Sequence, residues 1–340
     1  MSVKIKNLIA LLLTVIILVP GELFAIELDM PLKCNYGTDC FIQNYVDTTL
    51  KQKKQALDYQ CSTLTYNGHK GTDFRIKNYK ALENNYQIVA AADGIVKAVR
   101  NNAEDYEYIK DGSTVTGKEC GNGIVIRHLS GFETQYCHLR KDSIKVRAGA
   151  KINSGDLIGI MGMSGKTEFP HLHFEVRKNG KIIDPFLSEQ PVDNLNCNST
   201  KNPIWKKQIS DLLQYIPLVI LDSGFTDQIP QDSQQASELS LQNNISANSS
   251  QLIFWFEIIG IKKDDVLTMV IIDPDNNIIV QNTKKPAKNQ ARYFQYIGKK
   301  NLKLKAGIYS GQIVITSKDS DPKIYSNSLQ IKELKDSLHN

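Results

Sequence analysis

His69, His128, His138, His171 and His173 crowd between residues 64 and 187, while the sixth histidine, His339, stands at the tail. Residues two apart on a strand share a face. The run His171-Leu172-His173-Phe174-Glu175 therefore presents two imidazoles side by side, with Leu172 and Phe174 turned to the core. Alone, such a pair reads first as surface strand histidines and only second as half of a metal site. His69 and Asp73 add an imidazole and a carboxylate four residues apart. On a straight strand these would be ~13 Å apart at 3.3 Å per residue, too far to share an ion. The backbone has to bend between them, and Gly68 and Gly71 allow it. Two nitrogens and one oxygen converging in this way suit Zn²⁺ with a fourth position open to water, the arrangement of a catalytic rather than a structural site.

Other chemistries are weaker. Cys137 beside His138 invites a thiol nucleophile, but neighbours on one strand face opposite sides of a sheet and cannot share a nucleophile–base hydrogen bond. Gly162-Met163-Ser164-Gly165-Lys166-Thr167 resembles a phosphate-binding loop, yet GxxxxGK[ST] needs glycine at 160, where Ile160 stands, so no nucleotide is expected. His128 ends a strand before a turn and reads as a surface or core histidine. The glycosylation sequons at Asn198, Asn244 and Asn248 are common by chance and carry no argument.

The elements that must position these residues read as strands. Between Leu64 and Leu187, short apolar runs recur between Gly-rich turns, at 87–92, 94–100, 124–128, 133–138, 157–161 and 171–177. Ser130-Gly131 makes 123–138 an antiparallel hairpin. From 188 to 251 the composition turns to Asn, Gln, Ser and Asp, with one apolar stretch, 209–221. Segment 191–215 reads as a linker and 227–250 as a polar loop. Regular runs at 252–261, 266–272, 277–282, 292–297, 309–316 and 324–331, preceded by 216–221, make 216–335 a β-sandwich. The chain is thus expected to be all-β, with its chemistry in 64–190 and an accessory sandwich after it.

Length and composition agree with that division. The 340 residues exceed one compact core, and 41% hydrophobic with 23% charged residues excludes wholesale disorder. A net charge of +5 is a weak lean toward anionic partners and no nucleic-acid footprint. Lys4 and Lys6 precede an apolar stretch, Leu8 to Pro20, shorter than the ~20 residues that cross a bilayer, and Ala25 offers a small residue at a cleavage point. Residues 1–25 read as a secretory signal peptide, with an uncleaved anchor as the alternative. After cleavage no membrane span is expected, and the protein should reach the periplasm or cell envelope, or be secreted. Six cysteines, an even number with no CxxC spacing, favour disulfides in that oxidising space, with Cys120 and Cys137 the local pair. Segment 26–63 holds three of them. It either lies across a groove, where it could add a metal donor, or completes the domain's fold.

His69-x-x-x-Asp73, Tyr136-Cys137-His138-Leu139 and Gly165…Pro170-His171-Leu172-His173-Phe174-Glu175, in that order, resemble the LytM-type (lysostaphin-like) zinc metallopeptidases that cut peptidoglycan cross-bridges. The resemblance covers about 64–187. It implies His69, Asp73 and His173 as ligands of one Zn²⁺ per chain, and His138 and His171 as unligated catalytic histidines. It also implies a small antiparallel β-sheet groove domain, duplicated-hybrid-motif-like, with the metal on the groove floor and cell-wall peptides as substrate. Long extensions like those of envelope-resident relatives favour a D,D-cross-link over a glycine bridge. Two other readings stand beside this one: a non-catalytic cell-wall binding or regulatory protein retaining a zinc site, and a zinc peptidase acting on proteins or free peptides. A purely structural zinc would want four closed ligands and have no use for His138 and His171.

Overall fold

The computed structural model describes residues 26–50, 55–242, 245–318 and 321–332. The signal peptide read over 1–25 and the tail bearing His339 lie outside the described residues. Ten strands make the first part: β1 (Cys40–Asn44), β2 (Thr72–Ile76), β3 (Gln87–Val89), β4 (Gly94–Arg100), β5 (Asn122–Arg127), β6 (Phe132–Leu139), β7 (Lys151–Ile152), β8 (Leu157–Ile160), β9 (His171–Lys178) and β10 (Lys181–Ile183). The main sheet runs β1-β2-β9-β6-β5-β4-β7, with β10 also paired to β9, and β3 pairs with β8 apart from it. The hairpin read over 123–138 is the β5–β6 pair, closed by a tight turn in which Ser130 and Gly131 both take positive φ.

β9 shows why these residues form this sheet. Leu172, Phe174 and Val176 alternate into the core and are buried. The Phe174 ring lies 5.3 Å from that of Tyr136 on β6 and 6.5 Å from that of Phe74 on β2. Residues 171, 173 and 175 are thereby turned to the opposite face. The sheet is an amphipathic plate whose apolar side fixes the register and whose other side carries the histidines.

Seven further strands follow: β11 (Val219–Thr226), β12 (Gln251–Ile259), β13 (Val266–Ile272), β14 (Ile278–Lys284), β15 (Tyr293–Lys300), β16 (Gly307–Thr316) and β17 (Lys323–Ile331). They form two antiparallel sheets, β11-β12-β15 and β14-β13-β16-β17. One core joins the sheets, with Phe254, Phe256 and Ile258 of β12 meeting Leu267, Met269 and Ile271 of β13 and Ile313 of β16. β12 is buried on its other face as well. Ile259 and Leu221 belong to the first core, so the sandwich packs directly on the histidine-bearing domain.

Two polar segments differ from their sequence reading. Within 191–215, Trp205 is buried and meets Phe74, Phe174 and Phe186 at ring distances of 6.4, 5.8 and 5.3 Å, so this stretch is a wall of the first core rather than a free spacer. Within 227–250, Ser233–Leu241 is a helix. Asp232 Oδ1 caps it by accepting from the Gln235 N–H at 2.8 Å, and Trp255 Nε1 fastens it to the sandwich by donating to Ser240 Oγ at 2.6 Å. Segment 26–63 contributes β1 to the main sheet. All six cysteines are paired, as Cys34–Cys40, Cys61–Cys197 and Cys120–Cys137, and Cys61–Cys197 ties that segment to the chain beyond β10.

Candidate active site

β2, β9 and β6 lie side by side, and their register gathers the polar residues. Asp73 is the cross-strand partner of His173, Arg75 that of His171, and Cys137 that of His173. His69 enters from the turn before β2, where Gly68 takes φ +83°. Gly71 has a different reason to be glycine. A Cβ there would lie 2.7 Å from the His173 ring, so the ring rests directly on the backbone.

The result is a compact donor set. Asp73 Oδ1 lies 3.1 Å from His69 Nε2 and 2.9 Å from His173 Nδ1, and the two nitrogens are 3.2 Å apart. Each donor is fixed from behind. His69 Nδ1 donates to the Tyr45 carbonyl at 2.7 Å, which leaves Nε2 with its lone pair facing the cluster. Asp73 Oδ2 accepts from Asn44 Nδ2 at 2.8 Å, which leaves Oδ1 free to face it. His173 Nε2 points to Glu175, 3.9 Å away. The set fits a tetrahedral cation, since bonds of about 2.0–2.1 Å require donors roughly 3.3–3.4 Å apart. Among the described residues no fourth side chain joins this group of donors.

His138 and His171 border it. Nδ1 of His138 donates to the Ser164 carbonyl at 2.8 Å and Nδ1 of His171 to the Phe169 carbonyl at 2.9 Å. Both Nε2 atoms are thus unprotonated acceptors in the neutral rings, and that of His171 lies 3.6 Å from Asp73 Oδ1. The two rings are 4.6 Å apart. His138 has φ +65°, a conformation that costs a non-glycine residue about 1–3 kcal/mol, and it sits where the β5–β6 register slips. The bulge lets His138 leave the alternation of its strand and join the histidine face.

Burial and neighbours set the charges of the protein's own groups. Burial alone would raise the Asp73 carboxyl, but the surrounding imidazoles of His69, His171 and His173 hold it well below the usual carboxylate range. Burial, with His171 and His173 adding to it, pushes His138 well below an ordinary histidine. Burial likewise draws His171 down to about 4 against the pull of Asp73. Burial opposes charge on His173 too, yet its bonds to Asp73 and Glu175 carry it up to about 9. A divalent cation among the three donors would displace the His173 Nδ1 proton.

The remaining sequence candidates fall into supporting places. Cys137 is disulfide-bonded. The loop resembling a phosphate-binding motif instead carries Ser164, which holds His138, and Thr167, whose Oγ1 lies 3.1 Å from His171 Nδ1. His128 has both ring nitrogens engaged, with the Asp93 carbonyl and Thr134 Oγ1, each at 2.7 Å. Sequence reasoning missed Asn44, Tyr45 and Asp47. The last accepts from the Gly68 N–H at 3.0 Å and pins the turn that delivers His69. Their stretch, Asn44-Tyr45-Val46-Asp47 at the end of β1 and just beyond it, has no periodicity to single it out.

Comparison with known proteins bears on the same stretch. Residues 67–185 match Peptidase family M23. The DD-carboxypeptidase/endopeptidase Mpg of Neisseria meningitidis serogroup B is 36% identical over 93 residues, 27% of this chain and 21% of that protein. The peptidoglycan DD-endopeptidase ShyA of Vibrio cholerae is 31% identical over 124 residues, 36% of this chain and 24% of its own length. A solved zinc containing peptidase from Vibrio cholerae aligns over 44% of this chain and 40% of that one, at 28% identity and a TM-score of 0.28. The chain therefore spans less than a quarter of the length of the two curated relatives. The residues that carry the donor cluster and its flanking histidines fall, with β2 to β10, within the segment 67–185 that matches Peptidase family M23.

Proposed function

We propose that the protein is an exported zinc-dependent endopeptidase that hydrolyses peptide cross-links of bacterial peptidoglycan. His69, Asp73 and His173 would hold one Zn²⁺ per chain, and His138 and His171 would handle the proton. The observation that carries this reading is the pairing of a three-donor cluster with two further histidines beside it, His171 with Nε2 3.6 Å from Asp73 Oδ1 and His138 with its ring 6.1 Å from that of His173, inside the segment that matches family M23. A structural zinc site would have closed on four protein ligands. The signal peptide read in the sequence supports export, and among the described residues no helix is long and apolar enough to cross a membrane. The peptidoglycan relatives support the substrate class, and their D,D activities favour a D,D-cross-link.

A bound Zn²⁺ supplies Lewis acidity toward the peptide carbonyl and lowers the pKa of a water. The chain supplies the rest. Neutral His138 or His171 accepts the proton of the attacking water at Nε2, its ring held in the required tautomer by the carbonyl on Nδ1. The imidazolium so formed lies beside the developing oxyanion and returns the proton to the leaving amine. Two such rings 4.6 Å apart can share these duties.

The test is zinc per chain beside cleavage of a cross-linked muropeptide. His69→Ala, Asp73→Ala or His173→Ala should lose metal and activity together. His138→Ala and His171→Ala should keep the metal and lose about 10²–10⁴-fold in turnover. Wild-type rates in both of the latter, with zinc still bound, would overturn the assignment of roles.

A further inference from the structure

The sandwich reaches the wall of the candidate active site through one buried ion cluster. Arg75, two residues beyond Asp73 on β2, is only 2% exposed. Its Nη2 donates to Oε2 of Glu257 on β12 at 2.8 Å, and its Nη1 donates to Gln43 Oε1 on β1. The other Glu257 oxygen accepts from Arg292 Nε at 2.5 Å. Arg292 in turn donates to Ser233 Oγ at 2.8 Å and lies 3.6 Å from Glu168. Glu257, itself 2% exposed, is thus the carboxylate shared by the buried Arg75 guanidinium and the partly exposed one of Arg292.

Phe169 connects this cluster to the histidines. Its ring centre is 4.5 Å from the Arg75 guanidinium carbon, 5.7 Å from that of Arg292 and 4.6 Å from the His171 ring. Its carbonyl accepts the His171 Nδ1 proton. One residue therefore holds His171 both through its ring and through its backbone, and that residue is gripped by cations which the sandwich neutralises. A salt bridge that only docked two domains would have no reason to stack on the side chain that steadies a groove histidine.

We propose that the carboxy-terminal sandwich is a positioning element of the active site, in which Glu257 acts through Arg75 and Phe169 to hold the His171 imidazole. Residues outside the family M23 segment thereby join its machinery. Without the Glu257 charge, Arg75 and Arg292 repel each other and the 168–170 loop loses its seat. Where turnover is measured, the inference rests on His171 acting as proposed above, so a second measurement that needs no substrate accompanies it.

The full chain is compared with Glu257→Gln, which keeps the side-chain shape, and with Phe169→Leu, which keeps the backbone carbonyl and removes the ring. Each is assayed for zinc per chain, for kcat and KM on a cross-linked muropeptide, and for its imidazole ¹H–¹⁵N NMR signals. Both variants are expected to hold zinc and to lose about 10–100-fold in kcat, the scale of a misplacement near 1 Å, with KM within about twofold. The His171 Nδ1–H signal should shift and broaden while that of His69 stays in place. Wild-type kcat and an unshifted His171 signal in folded Glu257→Gln would reduce the cluster to a domain dock. Should Glu257→Gln fail to fold, the same two readouts in Phe169→Leu decide. If wild type cuts no wall peptide, the functional reading fails, and the His171 signal still decides the positioning.

Discussion

Asn44→Ala removes a single hydrogen bond to the candidate metal centre and leaves every candidate ligand in place. The bond runs from Nδ2 to Asp73 Oδ2 at 2.8 Å, and both residues are buried, so no bulk water stands ready to replace it. A hydrogen bond to a charged group contributes about 1.5–3 kcal/mol. At about 1.4 kcal/mol per factor of ten, its loss should weaken zinc binding roughly 10–150-fold, which overlaps the ~10–100-fold usual for partners behind a ligand. The backbone pairing of β1 with β2 does not depend on this side chain, so the variant should remain folded. Competition against a chromophoric chelator measures Kd directly, without an activity assay. A Kd within twofold of wild type in a folded variant would refute the claim that β1 helps to hold the metal.

Three further outcomes follow from the same geometry. Gly71→Ala places a methyl group 2.7 Å from both the His173 ring and the Phe174 carbonyl oxygen of β9, so zinc affinity should fall as the ring and β9 are pushed back, while far-UV circular dichroism keeps the wild-type strand signal. Asp184 is buried with no partner for Oδ2 among the described residues, and burial, with Asp58 nearby, raises its carboxyl to about 7. Because the folded value lies above the unfolded one, its contribution to stability is full below about pH 4 and is lost as pH rises to about 7, by a few kcal/mol; denaturant titrations of Asp184→Asn should show a flatter slope between pH 4 and 8. Replacing Cys61 and Cys197 with Ser opens a loop of 136 residues in sequence separation and should lower unfolding free energy by about 2–5 kcal/mol, read from urea midpoints under non-reducing conditions.

The strands and the histidine constellation were legible because they depend on short-range pattern. Alternation in His171–Glu175 placed Leu172 and Phe174 in the core and the two imidazoles opposite them, and the structure has that arrangement. The need for a bend between His69 and Asp73 was legible too, although Gly71 proves to be glycine because a ring lies on it. His138 joins His171 through a bulge and a positive φ that strict alternation does not foresee. Asn44 and Tyr45 act across 29 and 24 residues of sequence, and Arg75 meets Glu257 across 182, so nothing local marks them. Trp205 sits in a polar stretch whose composition reads as linker although it, Ile204 and Leu213 are core. The helix Ser233–Leu241 is rich in Ser and Gln, with Leu239 and Leu241 its large apolar residues, and a local signal was Asp232 placed to cap it.

Purified peptidoglycan sacculi digested with the full mature chain, with and without a chelator, and analysed by mass spectrometry of the released fragments, test the central claim most directly. The account predicts that cross-linked muropeptides are converted to uncross-linked ones by hydrolysis of a peptide bond, that chelation stops this, and that added Zn²⁺ restores it. Sacculi left intact by a folded chain carrying one zinc would contradict it.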